Sequence, residues 1–466
     1  MTNPLNAKAI AAELARENFD DGRLTRRLEK IIEGVARDPQ ASLPSVLSSA
    51  ELEGAYRFFS NPLVTPEAIL MPHFEATKVR AAREARVRVV HDQTEFSYRR
   101  QGKRQGLGDR TYQGFSGHFS LVLSGEASRR PLGLAGLHTW ARGNGEKEQA
   151  LWLKQIELTA RFLDCGAKAI HICDRGSEDY VLFEALIARG HRFVIRTGGK
   201  RWTESGPEGS RMMLRDVLAT IDHVSQRTAR INGRKRHSGA VLRKIHPQRK
   251  PRTLTLHIAA TTVELARPSG YGKRGTPGEH LGHLPTTLPL NVVRVWEPTP
   301  PDGEEPVEWL LFTNEPITTA ADAVAVVDHY RARWTIEEYF KALKTGCAFE
   351  SRQLHDYEAL TNALAVFAPL AFQILLLRTV ARDVPDAPAH TVASAEQVEV
   401  LRRLGRRPLP ASPTTRDVLL AIAALGGHIK YAPDPGWLTI ARGYEKLDAY
   451  VAGWRAAKLQ SGSDQR

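Results

Sequence analysis

The feature that most constrains the fold of this chain is a change of hydrophobic period at Val87. Before it, apolar residues recur at helical spacing, whereas the residues that follow have the composition and alternation of strands. Three predicted strands lead into a regular alternation of helix and strand, which is typical of an α/β fold built on a mixed sheet. The predicted strands cover residues 87–90, 115–123, 131–140, 167–173 and 193–197, with helices at 146–164 and 180–189.

A chain of 466 residues is too long for one compact core, so we expect two to four structural units. Residues 1–80 are predicted to form a helical N-terminal domain, and residues 81–380 an α/β core. Many Gly and Pro residues among candidate strands indicate a β-rich insertion into that core at about 198–306. A linker rich in Pro and Ala at 384–391 leads into three helical stretches, which complete a C-terminal domain over 381–466.

The balance of charge favours an anionic partner. Lys and Arg number 65 against 52 Asp and Glu, which gives a net charge of +13 and a pI near 9.7, so nucleic acid is the first partner to consider. Residues 227–252 carry ten Lys and Arg and no acid. Such a run is either a solvated loop or a segment whose charge is balanced by phosphates.

The cysteine content and the length of the most apolar stretch indicate the cellular location. Cys165, Cys173 and Cys347 are too few for a disulfide framework and have no zinc-binding spacing, which fits a reducing cytosol. The most apolar stretch, residues 363–377, is shorter than the roughly 18 residues that a membrane-spanning helix needs. We therefore predict a buried core helix there, no membrane association and a cytoplasmic location.

One predicted helix, over residues 320–345, carries a group of polar residues that share a face. On an ideal helix the group falls within roughly 60–80° of arc. A phenol, a carboxylate and three cations on one face can form an anion site, although a solvated stripe of i,i+4 salt bridges would have the same pattern. The residues are Tyr330, Arg333, Glu337, Lys341 and Lys344.

Three carboxylates could provide metal chemistry. Asp92 and Asp174 each follow an apolar predicted strand, and side chains at the carboxyl edge of a sheet can converge on a site. Either aspartate alone could instead be a turn or helix-cap residue. With Glu337 they supply the oxygen ligands that hold a pair of Mg²⁺ or Mn²⁺ ions, which can promote displacement at a phosphodiester.

The ordered motifs resemble those of bacterial DDE transposases of the insertion-sequence-four family. The run from Tyr330 to Lys344 has the Tyr-(2)-Arg-(3)-Glu-(6)-Lys signature of that family at every spacing. The similarity extends over nearly the whole chain, and the sequence departs from close relatives at Gly176-Ser177 and over 347–351, which leaves fine specificity open. The other matching blocks are Asp92-Gln93-Thr94, Asp174-Arg175 and residues 53–62, 309–316 and 425–427.

The resemblance implies a ribonuclease-H-like catalytic core interrupted by the β-rich insertion, an N-terminal domain that binds transposon ends and a C-terminal dimerisation domain. Asp92, Asp174 and Glu337 would bind two Mg²⁺ ions per active site, with Mn²⁺ as a substitute. Trp309 would stack a base flipped from the DNA end, or it is an ordinary core tryptophan. The implied DNA-binding residues are Tyr330, Arg333, Lys341, Lys344, Trp309, Arg57 and Arg27.

The activity that follows from this resemblance is cut-and-paste transposition of double-stranded DNA by a homodimer, through nicking, hairpin formation and resolution, and strand transfer. The sequence has no phosphate-binding loop of the G-x-x-x-x-G-K-[ST] type, which agrees with phosphodiester exchange that needs no ATP. Two alternatives stay open: an inactive or domesticated DNA-binding protein on the same fold, and an RNase-H-like nuclease without strand transfer.

Overall fold

The chain divides into two compact units in the computed structural model. The first contains Met1–Lys147, Lys154–Cys165 and Trp334–Arg466, and the second contains Glu148–Leu153 and Gly166–Arg333. The residues that the structure describes are 13–14, 19–98, 102–107, 113–141, 148–234, 238–239, 241, 247–268, 281–429 and 434–463.

The first unit begins with helices, as the helical spacing before Val87 predicts. Asp21 caps the first helix by accepting a hydrogen bond from the Arg23 amide, and Ser48 and Glu51 form a capping box at the third. The stripe that includes Leu28, Ile31 and Ile32 is buried, so this helical pattern encodes a packed face rather than a solvated one. The helices are α1 (Gly22–Arg37), α2 (Leu43–Val46), α3 (Ser49–Phe59) and α4 (Pro66–Ala82).

An antiparallel sheet follows in the first unit, with strand order β3-β2-β1. His91 pairs with Ser120 across β1 and β2, and the Ser120 hydroxyl also meets Gln155 and Thr159 from helix α5 on that face. These elements are β1 (Val87–Ser97), β2 (Gly114–Ser124), β3 (Pro131–Ala141) and α5 (Glu148–Leu163), which belongs to this unit from Lys154 onward.

The second unit contains a mixed sheet with the order β4-β5-β11-β10-β9-β6-β7, in which β8 pairs with β9. Strands β4 and β5 are parallel, and the other described pairs are antiparallel. The α/β prediction is confirmed, and the segment between β5 and β11 is rich in strands. The elements are β4 (Ala169–Cys173), α6 (Tyr180–Ala188), β5 (Arg192–Thr197), β6 (Trp202–Thr203), β7 (Met212–Met213), α7 (Leu214–Ala219), β8 (Ser225–Ile231), β9 (Arg252–Ala266), β10 (Thr287–Trp296), β11 (Glu308–Thr313) and α8 (Ala320–Arg331).

The remaining helices belong to the first unit. Helix α10 has 27 residues and is long and apolar enough to cross a membrane, yet 94% of its most apolar window is buried within the protein, as predicted for a core helix. In the described part of the tail, three helices lie where the three helical stretches are predicted. The elements are α9 (Trp334–Lys341), a π-helical turn (Ala342–Gly346), α10 (Tyr357–Asp383), α11 (Ala395–Leu404), α12 (Thr415–Leu425) and α13 (Trp437–Ser463).

Two glycines let α12 and α13 cross in backbone contact. A Cβ atom at Gly426 would lie 1.9 Å from the Thr439 carbonyl oxygen, and one at Gly443 would lie 1.9 Å from the Ile422 carbonyl oxygen. Any side chain at either position would force the two helices apart, because real Cβ atoms do not approach so closely.

The prediction of one helix over 320–345 is wrong. Helix α8 ends at Arg331, where the amides of Ala332 and Arg333 bond the carbonyls of His329 and Tyr330 in a tighter turn. A new helix begins at Trp334 and passes into the π-helical turn. The single-face argument therefore does not apply to the whole signature, since two interruptions of the α-helical period separate its first and last residues.

The prediction that Asp92 ends a strand is also wrong. This residue lies inside β1, whose pairing with β2 continues as far as Ser97. The apolar run ends at Val90, but the hydrogen-bonded ladder does not, because polar residues can complete an antiparallel strand that has one accessible face.

The basic run over 227–252 is partly neutralised by acids from outside it. The Arg227 guanidinium pairs with Asp328 at 2.6 and 2.9 Å, and Arg252 pairs with Glu297 and Glu304. Both cations lie in strands rather than in a solvated loop. Lys235, Arg236, Arg243 and Lys244 lie outside the described residues.

Candidate active site

In the second unit, Asp174 immediately follows β4, as predicted. Its Oδ1 atom accepts a hydrogen bond from the Gly176 amide at 2.8 Å and so caps a short 3₁₀ turn. Cys173, the last residue of β4, pairs with Ile195 of β5, so the parallel register places Asp174 beside Arg196, the next-to-last residue of β5. A carboxylate and a guanidinium are thus brought to one edge of the sheet.

Tyr330, near the end of α8, joins these two groups. Its side chain is buried, with 1% exposed, and its hydroxyl forms a hydrogen bond with Arg196. Burial raises the pKa of Tyr330 and the charge of Asp174 adds to the rise, while Arg333 and Arg196 oppose it. The four side chains form one electrostatic cluster in which the phenol stays neutral and its oxygen accepts a hydrogen bond from the Arg196 guanidinium.

Trp309 lies beside this cluster on β11. Its ring centroid is 5.5 Å from that of Tyr330, with the planes at 67°. The neighbouring Leu310 points to the opposite face of the strand and is buried, whereas Trp309 is only half-buried. Trp309 is therefore not fully enclosed, unlike a core tryptophan.

In the first unit, Asp92 and Glu337 belong to elements that pack on each other. Asp92 pairs across the sheet with Phe119, so both side chains lie on the same face. The Phe119 ring contacts Tyr339 and Phe340 of α9 at 5.5 and 5.4 Å between centroids, and α9 carries Glu337 in its first turn. The sheet face of Asp92 is thus the face that the Glu337 helix covers.

The end of the signature lies in the π-helical turn. The Lys344 Nζ donates to the Glu95 carbonyl, lies 3.7 Å from the Glu350 carboxylate and sits 5.3 Å from the Phe96 ring centroid. Glu350 in turn accepts a hydrogen bond from the Ser97 amide at 3.0 Å. Lys341, in the last turn of α9, is exposed.

Arg27 and Arg57 lie in the N-terminal helices. Arg57 is 71% exposed and pairs with Glu53 one turn earlier on α3. The Arg27 Nε atom of α1 is 3.2 Å from the point where Gly54 of α3 would carry a Cβ, so its side chain packs across that glycine. The two cations therefore belong to one pair of packed helices.

The donor set of the three carboxylates fits a hard cation, since it consists of oxygen alone. Asp174 uses Oδ1 for the Gly176 amide, and Asp92 uses Oδ1 for the Gln93 amide at 2.8 Å. Asp92 and Glu337 belong to the first unit and Asp174 to the second. Within the described part of the chain, no set of three or more His, Cys, Asp or Glu side chains is grouped to hold a metal ion as the structure stands.

Two residues of the second unit were not singled out from the sequence. Arg196 could have been found by aligning β4 with β5, because the parallel register places it beside Asp174. Glu178 accepts hydrogen bonds from the Thr197 hydroxyl at 2.6 Å and from the Gly198 amide at 2.8 Å, and it pairs with Arg201. It fixes the turn after β5, and no local sequence pattern signals that role.

Comparison with known families decides the class of protein. A model described as transposase DNA-binding matches residues 6–64, and a model described as transposase DDE domain matches residues 85–368, which is more than half of the chain. This chain belongs to the DDE transposase family. It is a DDE-type transposase that acts on DNA, and domains of this type generally use divalent metal ions.

Among solved structures, this transposase is similar to the cryo-EM structure of a piggyBac transposase synaptic complex with hairpin DNA. The match covers 82% of this chain and 77% of that chain at 10% sequence identity, with a TM-score of 0.35.

Proposed function

We propose that this transposase moves its element by cut-and-paste transposition, as a member of the insertion-sequence-four family that resembles the transposase of transposon five. The observation that carries the proposal is the order of two matches in one chain, a transposase DNA-binding segment followed by a DDE domain. The signature over 330–344 and the blocks around it support the narrower assignment.

Asp92, Asp174 and Glu337 would hold the divalent metal, as two Mg²⁺ ions or Mn²⁺ in their place. When bound, such ions supply Lewis acidity to the attacking and leaving oxygens of a phosphodiester. The all-oxygen donor set supports this choice of metal over zinc.

The remaining side chains would hold DNA. Lys344 would exchange the neutral Glu95 carbonyl, and the Glu350 carboxylate that lies 3.7 Å away, for phosphate oxygens at hydrogen-bond distance, which form charge-assisted hydrogen bonds with an ammonium group. Tyr330 and Arg333, supported by Arg196, would orient a second phosphate, and the exposed Lys341 would add a further contact.

Trp309 would stack a base that leaves the duplex. The partial exposure of this residue supports the role, because a flipped base must reach the indole in order to stack on it. Such flipping suits a hairpin route, in which the freed 3′ hydroxyl attacks the opposite strand and must bend the DNA sharply. Water then reopens the hairpin and the 3′ ends join target DNA, without ATP.

Assignments for the terminal regions complete the proposal. Residues 1–80, which include Arg27 and Arg57, would bind the transposon ends, and residues 381–466 would dimerise the protein on paired ends. The positive net charge and the DNA-binding match support the first assignment. Transposition would take place in the bacterial cytosol.

The test is incubation of the full chain with a labelled duplex that carries the end of its own element, taken from DNA flanking the coding region, with and without Mg²⁺. We expect a metal-dependent nick and then a hairpin on a denaturing gel, followed by joining when target DNA is added. Nicking without joining would favour a nuclease. Binding without cleavage in Mg²⁺ or Mn²⁺ would favour an inactive DNA-binding protein.

A further inference from the structure

A buried arginine connects the DNA-binding segment to the end of the signature. Arg352 follows a 3₁₀ turn (Phe349–Ser351) and is 4% exposed. Its guanidinium donates to the carbonyls of Pro39 and Ala41, and to the Cys347 carbonyl at 2.6 Å. The guanidinium lies 4.3 Å from the Phe367 ring centroid, so α10 covers its face.

The loop at residues 38–41 is shaped to present these carbonyls. The Asp38 Oδ1 atom accepts hydrogen bonds from the amides of Gln40 at 3.0 Å and Ala41 at 3.1 Å, which satisfies the loop amides locally. The carbonyl oxygens of Pro39 and Ala41 are then left to an outside donor, and Arg352 is that donor. The loop lies within the segment matched as transposase DNA-binding.

The other side of the connection is the turn that carries Lys344. The Cys347 amide closes the π-helical turn by donating to the Ala342 carbonyl at 2.8 Å, and the Cys347 carbonyl is held by Arg352. A second hydrogen bond between the loop and the turn is donated by the Gln40 Nε2 atom to the Thr345 carbonyl at 3.2 Å. The two carbonyls that are held from outside the turn, those of Thr345 and Cys347, therefore follow Lys344 by one and three positions.

We propose that Arg352 is a positioning residue that holds the 38–41 loop and the Lys344 turn as one rigid piece, so that seating a DNA end on the N-terminal segment also places its phosphate at Lys344. This inference rests on the proposed function. Only arginine suits the position, because its planar fork reaches several carbonyls at once, whereas a lysine ammonium is a single point charge.

The test compares Arg352→Lys with Arg88→Lys in the full chain. Arg88 is a matched control in the first unit: it is also 4% exposed and donates to two backbone carbonyls, of Ser124 at 2.9 Å and Glu126 at 2.8 Å, but it does not touch the 38–41 loop. The measurements are the unfolding temperature, the affinity for the element end and the nicking rate at saturating DNA.

We expect Arg352→Lys to slow nicking at least tenfold while end affinity falls less than threefold, and Arg88→Lys at a similar unfolding temperature to change neither. The effect of Arg352→Lys should vanish in a Lys344→Ala background, because a residue that acts through Lys344 has no effect once Lys344 is gone. Equal slowing by both lysine variants would overturn the inference. So would a double variant whose nicking is slowed by the product of the Arg352→Lys and Lys344→Ala effects.

A second variant covers the case in which Arg352→Lys does not fold. Gln40→Ala removes only the exposed hydrogen bond to Thr345, so it should fold, slow nicking by about threefold and lose this effect in the Lys344→Ala background. An unchanged rate would count against the connection.

Hydrogen exchange separates this inference from the proposed function. End DNA should protect the amides of residues 342–347 in the wild type and in Arg88→Lys but not in Arg352→Lys, whether or not the protein cuts. A wild type that binds, does not cut and shows this difference would leave the inference standing and remove the proposed function. Protection equal in all three proteins, or a wild type that binds no end, would overturn the inference.

Discussion

Tyr330 and Lys344 belong to one signature, but the structure holds them in different ways. Tyr330 is enclosed by Trp309 and bonded to Arg196, so its position is set by packing. Lys344 is partly exposed and rests on a backbone carbonyl and on Glu350, both of which a ligand can replace. Under the proposed function, the phenol would already be in place for a phosphate, whereas the ammonium would first have to leave its protein partners.

The largest effect is expected at the three carboxylates, where residues from both units should be equally necessary. Asp92→Asn, Asp174→Asn and Glu337→Gln should each slow nicking roughly 10³-fold or more, since several kcal/mol of charge stabilisation is lost. End affinity in a gel-shift assay should change less than about threefold. Glu338→Gln, next to Glu337 but paired with Arg378 and Arg382, is the control that should nick normally. Parallel loss of binding in the three variants would argue against metal binding.

Lys344→Gln tests whether Lys344 exchanges its protein partners for DNA. We expect nicking to slow about 10- to 100-fold, because a charge-assisted phosphate contact is lost. The slope of log affinity against log salt should fall by about 1, as for one phosphate contact. Lys446→Gln, which also removes a lysine bonded to a backbone carbonyl, that of Leu425, should leave both quantities unchanged. An unaltered salt slope for Lys344→Gln would mean that Lys344 stays with its protein partners.

Tyr330→Phe tests the contribution of the buried hydroxyl, whose position is set by packing. Removing the hydroxyl that meets Arg196 should slow nicking about three- to tenfold, the worth of one hydrogen bond, with no change in the salt slope. Because burial raises the pKa of Tyr330, the loss should be the same at pH 7 and pH 9. Tyr180→Phe, whose hydroxyl donates to the Pro285 carbonyl at 2.9 Å in the same unit, controls for stability. A loss that grew with pH would indicate that the phenol ionises.

The smallest expected effect is an increase in affinity for the element end. Glu350→Gln removes the anion beside Lys344, so end affinity should rise about twofold, the scale of a partly exposed ion pair. Glu399→Gln breaks a comparable surface pair on α11 and should not change affinity. A fall in affinity with Glu350→Gln would show that Glu350 orients Lys344 for DNA instead of competing with it.

The sequence was sufficient where local rules act. The short apolar run that ends at Asp174 predicts both the strand and the carboxylate at its edge, and the apolar stretch at 363–377 predicts a buried helix. These features depend on hydrophobic period and end residues, which the sequence states directly.

It was insufficient where neighbouring strands or turns decide the outcome. The continuation of β1 past Asp92 depends on its pairing with β2, and the break after Arg331 occurs among residues that are all acceptable in helices. The partnership of Arg196 with Tyr330, and that of Arg352 with the 38–41 loop, connect residues more than a hundred positions apart. No periodic pattern encodes such contacts.

The crossing of α12 and α13 at Gly426 and Gly443 has a consequence for genetic screens. In a saturation-mutagenesis selection for transposition, both glycines should tolerate substitution as poorly as the three proposed metal ligands, because any larger residue separates the helices. A tolerance map alone would therefore rank a packing contact in the C-terminal helices with the proposed metal ligands, and only an assay of folded protein would distinguish the two groups.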